Sequence, residues 1–176
     1  MSMSESSRWK SLDEWDHRQA VKVAQNRPAS ITKFLRFVSN SGTVPGWTLI
    51  ILALYLSGFT PLSAVYAMAL ASAFGLFGSQ IAKRIIQRPR PFASNDHPTP
   101  LARQPRDPSF PSGHATSALA TSVAFGIEDP SFAMPALAWA LLIAWSRFYL
   151  GVHHLSDIIA GALFGTLLGY LATLIV

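Results

Sequence analysis

Half of the 176 residues are hydrophobic and only 13% are charged, against about 25% charged in an ordinary soluble domain, so the composition points to a membrane. The absence of cysteine excludes a disulfide framework, a thiolate nucleophile and a cysteine-type zinc site. The formal net charge of +5 comes from basic residues that flank apolar segments; that placement suits anionic lipid headgroups and argues against nucleic acid.

The chain opens with a polar stretch, residues 1–43, that lacks the uninterrupted apolar core of a secretory signal. Ser11 and Glu14 have capping-box spacing for a helix running to about Gln25, with Leu12, Trp15 and Val23 on a modest apolar side. A second short helix is expected from Ser30 to about Val38, where Ile31, Phe34, Leu35 and Val38 share a face. Both have the pattern of interfacial helices, and packing against the protein's own loops is the alternative.

Residues 44–176 form the membrane-embedded part. Five apolar segments are expected to be helical: Pro45 to Phe59, Leu62 to Ala82, Gly113 to Ile127, Phe132 to Trp145, and Leu155 to Val176. A spanning helix takes about 20 apolar residues, so the shorter ones need snorkelling flanks, burial in the bundle or a thinned bilayer. The third is rich in small and hydroxyl residues, which suits a helix surrounded by other helices. The expected fold is therefore all-α, a polytopic bundle of about five transmembrane helices with N-terminal interfacial helices.

Residues 88–112 carry seven prolines and form a long polar loop. Counting crossings puts this loop, residues 146–154 and the N-terminal stretch on one membrane side. All 14 Lys and Arg residues belong to that side and none to the opposite turns, which by the positive-inside rule makes it the cytoplasm.

Three clusters of ionisable residues share that side, and such residues near a membrane are functional suspects. In the first, Lys83 and Arg90 could form an anion site or simply anchor the interface; Arg88 could assist binding or anchor. The second is Pro111-Ser112-Gly113-His114, where the free N-H groups of a helix start favour phosphate, Ser112 can donate a further hydrogen bond, and His114 is placed to give a proton to a leaving oxygen. In the third, Arg147 offers a fork of donors for phosphate oxygens. His153 and Asp157, four apart at a helix start, can face each other so that the carboxylate orients the imidazole. His154 is expected to face away as an interfacial residue, and His17 and His97 to be solvated. Gly161, Gly165 and Gly169 continue the stripe below and would let a neighbouring helix approach.

Taken together, Lys83-x6-Arg90-Pro91, Pro111-Ser112-Gly113-His114 and Ser146-Arg147-x5-His153-x3-Asp157 resemble the three-part signature of the type 2 phosphatidic acid phosphatase (PAP2) family in order and spacing. The resemblance implies a membrane lipid phosphatase in which His153 attacks phosphorus, Asp157 orients it and His114 protonates the leaving oxygen. It also implies that Lys83, Arg90, Ser112, Gly113 and Arg147 bind phosphate oxygens, with no metal or other cofactor. The implied partners are a membrane lipid phosphate and the bilayer, in a bacterial inner membrane. Members usually have six membrane helices; here the first is missing. A vanadate-dependent haloperoxidase, which resembles the same oxyanion site, and a non-catalytic scaffold or transporter remain the rival expectations.

Overall fold

A computed structural model describes residues 3–94 and 96–176, with side chains described from residue 10 onward. The described residues form seven α-helices and no strand: α1 (Met3–Ala24), α2 (Ala29–Ser41), α3 (Val44–Ser57), α4 (Leu62–Ile86), α5 (Gly113–Glu128), α6 (Ala133–Tyr149) and α7 (Leu155–Thr173). Each of the five apolar segments is a helix. Helix α4 runs one turn past its expected end and α6 one turn past its own, so Lys83 and Arg147 sit on helices rather than in loops. Among the described residues α4, α6 and α7 are long and apolar enough to cross a membrane, whereas α2 and α3, bent by 69° at their junction, pass that test only together.

Helix α5, at 16 residues, is too short for the same test, and its position explains why its composition is small and polar. Ala115, Ala118, Ala120 and Ala124, with Thr116 and Thr121, are fully buried, and α4, α6 and α7 all pack on it. Glycines set the approach. A Cβ on Gly75 of α4 would lie 2.7 Å from the Ser117 Cα, and one on Gly161 of α7 would lie 2.8 Å from the Ser112 carbonyl. Gly165 and Gly169 meet the backbone carbonyls of Thr116 and Ala120 still more closely. The glycine stripe therefore seats α7 on α5 by backbone-to-backbone packing. Gly165→Leu should force these helices apart at a cost of about 3 kcal/mol, read as a lowered thermal unfolding midpoint of the detergent-solubilised protein.

The outer faces of the bundle are apolar and exposed, including Leu49, Leu52, Leu56, Phe77, Ile81, Leu163 and Leu167, as a lipid-facing surface requires. At one end, α2 turns Leu35 and Val38 inward and leaves Ile31, Phe34 and Phe37 exposed. Helix α1 passes through the expected capping box: no proline or glycine interrupts residues 1–24, so the helix begins at Met3 and Ser11 does not cap it. It docks through buried Asp16 and Ala20.

The proline-rich loop is ordered by its ends. Helix α4 stops at Gln87 in the left-handed conformation, before Pro89, and Ser109 returns to bond the Arg88 carbonyl (2.9 Å). Further on, Leu101 N-H donates to the Leu150 carbonyl (2.8 Å), and Arg36 of α2 donates to the Leu101 carbonyl (2.7 Å). The loop, α1, α2 and the α6–α7 turn thus lie together at one end of the bundle.

Candidate active site

Helix α6 ends in a tight turn in which Gly151 takes φ +74°, a left-handed conformation natural to glycine. A Cβ there would also press on the Pro100 Cα at 3.3 Å. This turn, held by Val152 N-H to the Arg147 carbonyl (3.2 Å), delivers His153 just ahead of α7. His153 is therefore not on the helix, as the four-residue spacing to Asp157 led us to expect. His154 is the N-cap of α7, and its backbone N-H donates to Asp157 Oδ2 (2.9 Å). The pairing nevertheless forms: His153 Nδ1 lies 3.4 Å from Asp157 Oδ2. The opposite ring nitrogen, Nε2, faces Arg90 Nη1 at 3.2 Å.

With Nδ1 directed at the carboxylate, the Nδ1-H tautomer is favoured and Nε2 keeps its lone pair toward the cavity. Burial, then the nearby Arg90, Arg147 and Lys83, push His153 well below the ordinary imidazole value of 6.5. A neutral ring is what a nitrogen nucleophile needs.

His153 lines a cavity of about 220 Å³ together with Lys83, Arg90, Gly113, His114 and Arg147. Six of the eight residues singled out by sequence thus meet in one space. Asp157 stands behind His153. Ser112 is fully buried, caps α5 by accepting from Ala115 N-H (3.5 Å) and does not line the cavity. Its own N-H donates to the Asp157 carbonyl (3.1 Å), tying the starts of α5 and α7 together. His114 and Arg147 also line a second cavity of about 960 Å³ between α2 and the loop, bordered by Arg36, Arg103 and Arg106. It forms an outer vestibule to the smaller one.

Arg147 is buried and donates from Nη1 to Ser39 on α2, while its Nε has no hydrogen-bond partner among the described residues. A buried guanidinium donor left unpaired is costly, and an anion in the cavity would satisfy it. The other two cations are held by Asp107, a residue that sequence analysis did not single out. Its carboxylate pairs with Lys83 and with Arg90 Nη2 (2.9 Å), and its carbonyl accepts from Arg90 Nε (2.7 Å). Burial works to raise the Asp107 carboxyl, but Lys83 and Arg90 outweigh it and hold it below the usual carboxylate value.

The histidines expected to be bystanders are not simply solvated. His97 packs edge-on between His17 and His154, at ring separations of 5.2 and 5.8 Å, and its ring nitrogens are buried. Burial, then the neighbouring His17, pushes it down to about 4. Among the described residues, one group of acids and histidine is close enough to hold a metal: Asp13, Asp16 and His154. The Arg88 guanidinium bonds both of these aspartates, Asp13 at 2.6 Å and Asp16 at 2.8 Å, so the cluster already holds a cation.

Residues 60–176 match the PAP2 superfamily. Over 155 residues the chain is 30% identical to the undecaprenyl-diphosphatase BcrC of Bacillus subtilis, spanning 87% of this chain and 79% of that protein. A lipid A 1-phosphatase of Rhizobium etli is 35% identical over 91 residues, 49% of this chain and 39% of that one. In fold, the chain superposes on a transmembrane PAP2-type phosphatidylglycerolphosphate phosphatase from Bacillus subtilis with a TM-score of 0.80 at 20% identity, covering 98% of this chain and 90% of the other. On Aquifex aeolicus LpxE the TM-score is 0.75 at 22% identity, with 88% and 92% covered. By the extent of the family match, with the membrane helices and the ordered motifs in agreement, this chain belongs to the PAP2 superfamily.

Proposed function

We propose that this cavity hydrolyses a phosphomonoester or diphosphate carried by a membrane lipid, through a phosphoryl group held transiently on His153. One observation carries the proposal: an oriented imidazole and three cations from separate helices and the loop, Lys83, Arg90 and Arg147, converge on a space of about 220 Å³ at the start of α5. The relatives named as a diphosphatase and phosphatases favour this chemistry over halide oxidation or a scaffold role.

In the first step, the His153 Nε2 lone pair forms a bond to phosphorus as the bond to the leaving oxygen breaks. His114 gives that oxygen its proton. Lys83, Arg90 and Arg147 hold the equatorial oxygens, aided by the backbone N-H groups around Gly113, and the charged hydrogen bonds supply about 1.5–3 kcal/mol each. Asp157 stabilises the charge that develops on the imidazole. In the second step, water gives a proton to His114 and its oxygen attacks phosphorus. The P-N bond breaks, and phosphate leaves a neutral His153. Ser112 acts through position, capping the helix that presents Gly113 and His114.

Asp107 occupies the donors that phosphate would use, so substrate must displace its carboxylate from Lys83 and Arg90. Asp107→Asn should therefore strengthen inhibition by inorganic phosphate, by about tenfold for a competition of 1–2 kcal/mol. Product-inhibition assays check this, and unchanged or weaker inhibition would contradict it.

In the N-terminal region, α1 and α2 act as interfacial helices on the side of the site, and that side faces the cytoplasm. Seven basic residues before residue 43 support the orientation. The reading predicts that a cysteine placed at residue 10 reacts with membrane-impermeant maleimide only after cells are opened; labelling of intact cells would reverse the orientation. Phosphate release from a panel of polyprenyl and glycerolipid phosphates, compared between the wild type and His153→Ala, tests the activity itself.

A further inference from the structure

Arg88 belongs to none of the three motifs, yet among the described residues it is the largest fully buried side chain. Its Nη1 donates to Asp157 Oδ1 (2.7 Å) and to Ser156 Oγ (2.7 Å), and its Nη2 donates to Asp16 Oδ2 (2.8 Å) and Asp13 Oδ1 (2.6 Å). Asp16 is also buried, and it closes the network by accepting from the Ser156 backbone N-H (2.9 Å) and from the Ser156 hydroxyl. Helix α1 is thereby bonded to the first turn of α7, 140 positions away in the sequence.

Asp157 has two oxygens with separate partners. Oδ2 takes the His154 N-H and faces His153 Nδ1, while Oδ1 accepts from Arg88 Nη1. The guanidinium therefore fixes the carboxylate plane from behind and places a positive charge against it in a fully buried position. A neutral or rotated Asp157 would not hold His153 in the Nδ1-H tautomer.

The geometry points to Arg88 and Asp16 as positioning residues for the hydrolytic reaction, so that the docked N-terminal helix α1 is a working part of the active site. The inference rests on His153 being the nucleophile. It assigns function to a segment outside the matched family region, which begins at residue 60. It also separates Arg88 from its neighbour Arg90: Arg90 faces the cavity and the reacting nitrogen, and Arg88 faces away from it onto the carboxylate.

The test must distinguish a positioning role from a purely structural one. The double variant Arg88→Met/Asp16→Leu removes the buried Arg88–Asp16 pair but leaves Asp157 without its cation, so Arg88→Lys is made beside it. Arg88→Lys keeps the charge but loses the fork that spans Asp157 and Asp16. Kinetics are measured on a lipid phosphate that the wild type hydrolyses, alongside thermal unfolding. The expected result for the folded double variant is a kcat lowered about 100-fold with KM changed less than threefold. Arg88→Lys should recover part of kcat.

A folded double variant with kcat within threefold of wild type would overturn the inference. If the double variant does not fold, Arg88→Lys decides alone: a wild-type kcat overturns the inference, and a lowered kcat with unchanged KM supports it. A wild type that hydrolyses lipid phosphate without a phosphohistidine would instead remove the proposed nucleophile, which is a different failure.

Discussion

His153→Ala should lower phosphate release from a lipid substrate by about 10⁴-fold or more, the scale on which removal of a covalent nucleophile acts. The expectation follows from geometry and not from the residue type alone. The imidazole is buried, its Nδ1 faces Asp157 and its Nε2 faces the cation-lined cavity. No other imidazole has that pairing: His114 lies on α5 across the cavity, and His154 is turned toward His97. Steady-state release of phosphate checks it, with binding of inorganic phosphate as a control that the cavity survives. Retention of a tenth of the activity would remove the covalent mechanism.

The second large effect is expected at His114, with a distinctive dependence on the leaving group. It lines both the inner cavity and the vestibule, so it stands where a leaving oxygen would exit. General acid-base catalysis contributes about 10²–10⁴-fold, and His114→Ala should lose that much with an alkyl-type lipid leaving group. An aryl phosphate leaves without needing the proton, so its first step should be much less affected. The second step still lacks its base, and phosphoenzyme should build up as a burst of the aryl alcohol followed by slow turnover. An equal loss with both leaving groups, and no burst, would mean that His114 does not transfer the proton.

The helices and most of the cavity were legible in the sequence because their signals are local. Apolar segments, proline-rich punctuation and the spacing of Lys83, Arg90, His114, Arg147, His153 and Asp157 all lie within short windows. The glycine stripe was likewise legible as close packing, and the structure shows its partner to be the α5 backbone. What was not legible depends on elements far apart in the chain. Asp107 belongs to none of the three motifs, and only the fold of the loop turns it onto Lys83 and Arg90. Asp16 sat in an ordinary polar helix until α1 docked beside Ser156. Arg88 read as a binding aid or an anchor because its three carboxylate partners come from α1 and α7. Even the spacing of His153 and Asp157 was right for a different reason than helical periodicity, since a capping turn and not a helix brings them together.

The central claim is that phosphorus passes through a covalent bond to one imidazole. Rapid quenching of the enzyme during turnover of a phosphorus-labelled lipid, followed by peptide mass spectrometry under alkaline conditions, tests it most directly. The account predicts an acid-labile, alkali-stable phosphoryl group on His153, absent from His153→Ala and enriched in His114→Ala. Label on another residue, or full turnover with no label on protein even in the His114 variant, would contradict it.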